Sequence, residues 1–195
     1  MVQTPVKPIT LTDFLSLPET KPASEYVDGR MTQKPMPQGK HSRLQDKLVK
    51  VINAAVESEQ LACAFPELRC TFDGSSIVPD IAVFTWARIP TDDIGEIANV
   101  FPAPDWTIEI LSPRQRPTRV TKNILRCLKN DTQMGWLIDP EDRAVFIYRP
   151  SQEIEIFDEP EDILPLPSFM GEITFRVADL FGLLFLSSPS QQPLH

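Results

Sequence analysis

Residues 106–112 read Trp-Thr-Ile-Glu-Ile-Leu-Ser, "WTIEILS", an apolar run interrupted by a single acid, Glu109. A short run rich in β-branched residues between two prolines predicts a strand in the interior of a sheet. An ionised carboxylate buried there without a partner costs on the order of several kcal/mol. Glu109 must therefore be paired, protonated or bound to a metal. The alternative is that Thr107, Glu109 and Leu111 share a strand face that is only half buried.

A second apolar run, "VPDIAVF" at residues 78–84, also contains a single acid, Asp80. Pro79 cannot donate to a sheet ladder, so we expect it to bend the strand and turn Asp80 toward a site. Two carboxylates on neighbouring strands repel each other, and a divalent cation relieves the repulsion while using their oxygens. The alternative is that each acid pairs with an arginine.

The remaining pattern predicts a mixed α/β protein, with a central mixed β-sheet flanked by helices and preceded by an N-terminal helix and a β-hairpin. Asp28-Gly29 between two strand-like runs marks the hairpin turn. We expect one domain over residues 1–186 and a disordered tail over 187–195. Helices are predicted at 10–17 (capped by Thr10), 41–60 and about 118–129, with a further short helix near the end of the domain. Strands are predicted at 61–65, 67–73, 76–84, 106–112, 134–138, 144–149 and 153–157.

The charge is unevenly distributed along the 195 residues. The net charge of −8 argues against a general nucleic-acid binder. Between Ser112 and Asn130, however, there are six basic residues and no acid, namely Arg114, Arg116, Arg119, Lys122, Arg126 and Lys129. We interpret this stretch as a surface that contacts nucleic-acid phosphates, and the alternative is an ordinary solvated helix face.

Composition excludes several other classes of protein. With 3 cysteines in no C-x-x-C pair and 2 histidines, a Cys/His zinc site is not expected, and we interpret the cysteines as reduced and structural. A metal would be held mainly by oxygen, which favours Mg²⁺, Mn²⁺ or Ca²⁺. No G-x-S-x-G motif is present, so a serine hydrolase is excluded. No apolar run is long enough to span a bilayer and the first residues lack a signal-peptide pattern, so we expect a cytoplasmic protein without membrane contact.

Several landmarks occur in a fixed order along the chain: "EYVDG" at 25–29, His41, "VPDIAVF", "PDWTIEILSP" at 104–113, Lys122 and "GWLIDP" at 135–140. This set resembles the PD-(D/E)XK nuclease superfamily. Within it, residues 10–185 resemble a bacterial family described as "putative restriction endonucleases", formerly a domain of unknown function. The resemblance implies a restriction-endonuclease-like core and cleavage of phosphodiester bonds with Mg²⁺ or Mn²⁺.

The resemblance also implies roles for individual residues. Asp80 and Glu109 would bind the metal, the backbone carbonyl of Ile110 would be a further ligand, and Glu25 would complete the metal and catalytic site. The alternative for Glu25 is an exposed hairpin position.

The lysine of the superfamily motif is not at its usual position on the strand in this chain. Leu111 stands where the superfamily has a lysine, and the resemblance supplies Lys122 from the next helix as the catalytic cation. On a helical wheel Lys122 lies at the margin of the packed face, from which it could reach the sheet. His41 opens a helix, where it would cap the helix or contact a phosphate.

These observations predict a Mg²⁺-dependent endonuclease acting on DNA, and a homodimer would suit double-strand cleavage. The alternative is a nuclease-like fold that binds nucleic acid or a protein partner without cutting. A glycosidase with two carboxylates is less favoured, because it needs an aromatic-rich cleft and the chain has only 3 Trp and 2 Tyr.

Overall fold

The structure is a computed structural model that describes residues 9–113 and 115–186. Arg114 and the predicted tail at 187–195 lie outside the described residues. The helices are α1 (Leu11–Leu15), α2 (Gly39–Val56), α3 (Pro117–Leu128) and α4 (Val177–Gly182), with 3₁₀ turns at Trp86–Arg88 and Ser168–Met170. The strands are β1 (Ser24–Val27), β2 (Arg30–Gln33), β3 (Ala62–Pro66), β4 (Cys70–Phe72), β5 (Ser75–Ile77), β6 (Ile81–Thr85), β7 (Trp106–Ile110), β8 (Met134–Asp139), β9 (Ala144–Tyr148) and β10 (Glu155–Phe157).

The larger sheet is mixed, as predicted, and has the strand order β10-β9-β8-β7-β6-β3. Its β7 and β8 are parallel, and the connection between them contains α3, because parallel neighbours need a long crossover. Its other neighbouring strands are antiparallel. Within the described part of the chain, no helix is both long and apolar enough to cross a membrane.

A second, smaller sheet has the order β2-β1-β5-β4. The predicted hairpin joins β1 to β2, and Asp28 and Gly29 have φ values of 51° and 75°. Two successive positive φ values are typical of a two-residue hairpin turn and match the Asp-Gly preference.

The single strand predicted over 76–84 is wrong, because the chain changes sheets within it. Strand β5 ends at Ile77 in the smaller sheet, and β6 begins at Ile81 in the larger one. Pro79 lies between them and has no N–H to offer a ladder. The break leaves Asp80 at a bend where the two sheets meet.

The larger sheet is covered on both faces. Helix α2 buries Leu44, Leu48 and Ile52 in a core with Ile108 and Ile110. On the opposite face, α3 packs Val120 and Ile124 against Leu111.

Because α3 covers it, the strand face that carries Glu109 is fully buried. Thr107, Glu109 and Leu111 are 1%, 3% and 9% exposed. The alternative of a half-exposed face is therefore wrong, and Glu109 needs compensation for its charge.

The cysteines lead to a first testable prediction, because their thiols are free and at least partly buried. Burial raises the pKa of Cys70 to about 12 and that of Cys63 to about 11. Only the thiolate attacks a disulfide reagent, so at pH 8 we expect the native thiols to react roughly 100-fold more slowly than those of the unfolded chain. Thiol titration with and without urea measures this ratio. Fast reaction of all three thiols in the native protein would contradict the structural role.

Candidate functional site

Asp80 and Glu109 lie side by side at the end of the β6–β7 pair. Ile81 pairs with Ile108 in antiparallel register, so the preceding Asp80 and the following Glu109 are neighbours across the ladder. The predicted juxtaposition of the two lone acids is therefore present in the fold.

The Asp80 carboxylate is fixed from three directions. Its Oδ2 accepts hydrogen bonds from the backbone N–H of Ile110 at 2.8 Å and from Nε2 of His41 at 3.0 Å. Its Oδ1 accepts from Nζ of Lys34 at 2.6 Å. His41 was predicted to cap its helix or contact a phosphate. In the structure it is buried and orients Asp80.

Lys34, immediately after β2, is the cation nearest to both acids among the described residues. Its Nζ lies 2.6 Å from Asp80 Oδ1, 2.7 Å from the carbonyl oxygen of Val78 and 3.6 Å from Glu109 Oε2. Burial lowers the pKa of Lys34, but the negative charges of Glu109 and Asp80 outweigh burial and raise its pKa above the ordinary value. The ammonium therefore remains charged at the centre of the site. The alternative that Asp80 pairs with an arginine is therefore wrong, because its partner is Lys34.

The pKa values of the Asp80 and Glu109 carboxyl groups are shifted in opposite directions. Burial raises the pKa of Asp80, but the charge of Lys34 and the hydrogen bond with His41 prevail and hold that pKa below its usual range. Burial raises the pKa of Glu109 well above its usual range, despite the opposing charge of Lys34, and the nearby Asp80 raises it further. Among the described residues, the cation that pairs with the Glu109 carboxylate is the Lys34 ammonium, at 3.6 Å from Oε2, which is longer than a normal hydrogen bond. Glu109 is thus a buried acid whose charge is only partly compensated.

Glu25 is also buried, at 3% exposure, so the alternative of an exposed hairpin position is wrong. Its Oε1 accepts from the Val78 N–H at 3.1 Å, and its Oε2 accepts from Arg119 at 2.9 Å. Asn123 adds contacts of 3.2 and 3.3 Å. Both oxygens are already in use, and the carboxylate anchors the segment that carries Pro79 and Asp80.

The basic residues of α3 separate into two groups. Arg119 and Arg126 pair with acids of the hairpin, namely Glu25 at 2.9 Å and Asp28 at 3.0 Å. The side chains of Arg116, Lys122 and Lys129 are exposed. Lys122 has no hydrogen bond or ion pair with any residue that the structure describes. It is therefore not brought to the carboxylates, and Lys34 from the hairpin lies there instead.

The two arginine pairs differ in burial, and this difference gives a second prediction. Arg119→Met should lower the free energy of unfolding by about 2 kcal/mol, because it leaves the buried Glu25 carboxylate short of a cation. Arg126→Met is the matched control, since its partner Asp28 is largely exposed and such pairs contribute less than about 1 kcal/mol. Urea unfolding of both variants compares the losses. Equal losses would show that the Glu25 pair is not a buried structural contact.

The site opens to the surface through a cleft beside the hairpin. Residues that line it include Pro22, Lys34, Pro37, His41, Asp80 and Ser112. The cleft is small, about 10 Å³, and both the Lys34 ammonium and the Asp80 carboxylate lie at its wall.

The residues at the site fit a hydrated Mg²⁺ or Mn²⁺ ion. No group of three or more His, Cys, Asp or Glu side chains that could hold a metal occurs among residues 9–113 and 115–186. Mg²⁺ usually keeps several waters and binds through one or two carboxylates, so a complete protein cage is not required. Asp80 and Glu109 supply two carboxylates, and Ile110, whose N–H already contacts Asp80, adds a backbone carbonyl. The incompletely compensated Glu109 carboxylate is the kind of ligand that such an ion needs.

The mixed sheet with its two adjoining acids defines a restriction-endonuclease-like class of protein, and comparison with known families agrees. The family model "Uma2: Putative restriction endonuclease" matches residues 11–178. The chain belongs to this Uma2 family, so the predicted resemblance is confirmed and is consistent with the PD-(D/E)XK superfamily.

A solved structure is similar over nearly the whole chain. It is the crystal structure of a "putative nuclease belonging to DUF820" from Anabaena variabilis ATCC 29413, with 61% identity and a TM-score of 0.90. The match covers 91% of this chain and 100% of that one. A DrdV–DNA complex aligns at 14% identity and a TM-score of 0.32, over 74% of this chain and 13% of that one, which is too distant to support an argument. No curated protein matches the chain.

Proposed function

We propose that this protein is a Mg²⁺- or Mn²⁺-dependent endonuclease that hydrolyses phosphodiester bonds in DNA. One observation carries the proposal: the carboxylates of Asp80 and Glu109 converge in the interior, at 2% and 3% exposure, on a single ammonium that lines a surface cleft. Membership of the family described as "Putative restriction endonuclease" supports the same reaction class.

In this proposal Asp80, Glu109 and the carbonyl of Ile110 hold the metal ion. When bound, such an ion lowers the pKa of a water and offsets the negative charge that develops on the phosphate. His41 and the N–H of Ile110 keep the Asp80 carboxylate in one orientation.

Lys34 takes the place that the resemblance gave to Lys122. Its ammonium lies at the carboxylates and borders the cleft, where it would bind an oxygen of the scissile phosphate. Glu25 acts as a positioning residue in this proposal, because its oxygens are used by Val78, Arg119 and Asn123.

We propose that the exposed basic residues in and next to α3 contact the DNA backbone. These residues are Arg116, Lys122 and Lys129. Contacts with phosphates displace counterions and make the affinity fall as salt rises. Arg119 and Arg126 contribute indirectly, by fixing the hairpin to α3. Arg114 was predicted to bind nucleic acid and lies outside the described residues.

Cleavage of supercoiled plasmid DNA tests the proposal. With Mg²⁺ or Mn²⁺ the purified protein should nick or linearise the plasmid, and EDTA or Glu109→Gln should abolish the cleavage. Glu141→Gln is the matched control, since Glu141 is exposed and pairs with Lys40 at the surface. If metal-loaded protein retards DNA in a gel without cutting any DNA offered, the non-catalytic alternative is supported instead.

A further inference from the structure

We propose that Lys34 is the resident counter-ion of the metal site. It holds Asp80 and Glu109 together in the metal-free protein and leaves them when a divalent cation takes its place. Its ammonium then turns into the cleft and becomes available to a substrate phosphate. This inference rests on the proposed function, because it concerns the same two carboxylates.

The geometry places the ammonium where a metal ion is needed. Three oxygens surround Nζ of Lys34, at 2.6 Å from Asp80, 2.7 Å from Val78 and 3.6 Å from Glu109. An ion bound by Asp80 and Glu109 would use the carboxylates that Lys34 already contacts. Two cations at contact distance repel strongly in a site with little water. The ammonium and the metal therefore exclude each other.

The charges of the site explain why the exchange is favourable. Glu25 is already compensated by Arg119, so the Lys34 ammonium must balance both Asp80 and Glu109. One positive charge balances only one ionised carboxylate of this pair, and ionising the second carboxylate in the interior is costly. A divalent cation balances both acids, and Glu109 gains a ligand bond in place of its 3.6 Å contact with the Lys34 ammonium.

Lys34 can leave without unfolding the hairpin. Its backbone N–H is bonded to the carbonyl of Ala23 at 2.9 Å, so the main chain stays in place. Its side chain is 13% exposed and lines the cleft, and a lysine has a flexible four-carbon stem. We expect rotation of this stem to move the ammonium away from the carboxylates and toward the cleft.

Metal affinity tests the competition directly. Lys34→Met removes the competing ammonium, so the affinity for Mn²⁺, measured by isothermal titration calorimetry at pH 8, should rise about tenfold or more. Lys122→Met is the matched control, because it removes the same charge from an exposed position of α3, and it should leave the affinity unchanged. An unchanged or weaker affinity in folded Lys34→Met would overturn the counter-ion role.

A second measurement uses the wild-type protein and does not depend on the folding of a variant. Lysine methylation with formaldehyde and borohydride, followed by mass spectrometry, reports the accessibility of each ammonium group. Saturating Mn²⁺ should increase labelling of Lys34 several-fold, while labelling of Lys122 stays constant. Equal labelling of Lys34 with and without bound Mn²⁺ would overturn the exchange.

The two experiments separate this inference from the proposed function. If Lys34→Met binds Mn²⁺ more tightly but the wild type cuts no DNA, the counter-ion role stands and the nuclease proposal falls. If the wild type cuts DNA but neither affinity nor labelling changes, the nuclease proposal stands and the counter-ion role falls. If the wild type binds no Mn²⁺, both fall.

Discussion

We expect Asp80→Asn to reduce the proposed metal-dependent DNA cleavage by at least about 1000-fold, while the protein remains folded. The amide keeps the size of the side chain but loses the charge that attracts the metal. It also leaves Lys34 opposite Glu109 alone, so the two remaining charges balance in the interior. However, the amide nitrogen cannot accept the hydrogen bonds that one carboxylate oxygen receives in the wild type, so we expect the free energy of unfolding to fall by about 1–3 kcal/mol. Plasmid cleavage rates and thermal unfolding, measured on the same preparation, give both quantities.

Asp28→Asn is the control for this substitution. Asp28 lies on the same hairpin side of the molecule and pairs with Arg126, but its side chain is largely exposed. The Asp28→Asn variant should retain nearly full DNA-cleavage activity. Comparable activity of Asp80→Asn and the wild type would remove Asp80 from the catalytic site.

Lys34→Met has the second largest expected effect, a loss of cleavage rate of about 100-fold at saturating metal. The reason is that the Lys34 ammonium is the cation beside the carboxylates and would neutralise charge on the phosphate in the transition state. Because metal binding is retained, the loss should appear in kcat rather than in the metal requirement. Lys34→Arg, which keeps the charge, should recover part of the rate.

Lys122→Met provides the comparison that decides between the two lysines. Its side chain is exposed on α3, so its removal should weaken DNA binding slightly and leave kcat within about threefold of the wild type. The opposite result, a large loss with Lys122→Met and a small one with Lys34→Met, would restore the assignment that the family resemblance suggested.

The two acids could be predicted from the sequence because the signal is local. A lone carboxylate in an apolar strand is costly, and Asp80 and Glu109 each stand in such a run. The hairpin turn at Asp28-Gly29 was similarly predictable, since its backbone conformation depends on those two residues. Pro79 indicated a bend, although the change from one sheet to the other was not foreseen.

Lys34 could not be predicted, because its contacts depend on the tertiary fold. It lies 46 residues from Asp80 in the sequence, and nothing in "TQKP" distinguishes it from other surface lysines. The pairing of Arg119 with Glu25 spans 94 residues and was hidden for the same reason. The helix pattern showed a basic stripe, whereas the fold uses two of its arginines to hold the hairpin.

Crystals grown with Mn²⁺, with anomalous diffraction data collected near the manganese edge, would show whether a metal ion binds at these carboxylates. We expect an anomalous peak within about 2.3 Å of oxygens of Asp80, Glu109 and Ile110, with the Lys34 ammonium moved toward the cleft. The absence of this peak in crystals of protein that cleaves DNA with Mn²⁺, or a peak at other acids, would contradict this expectation.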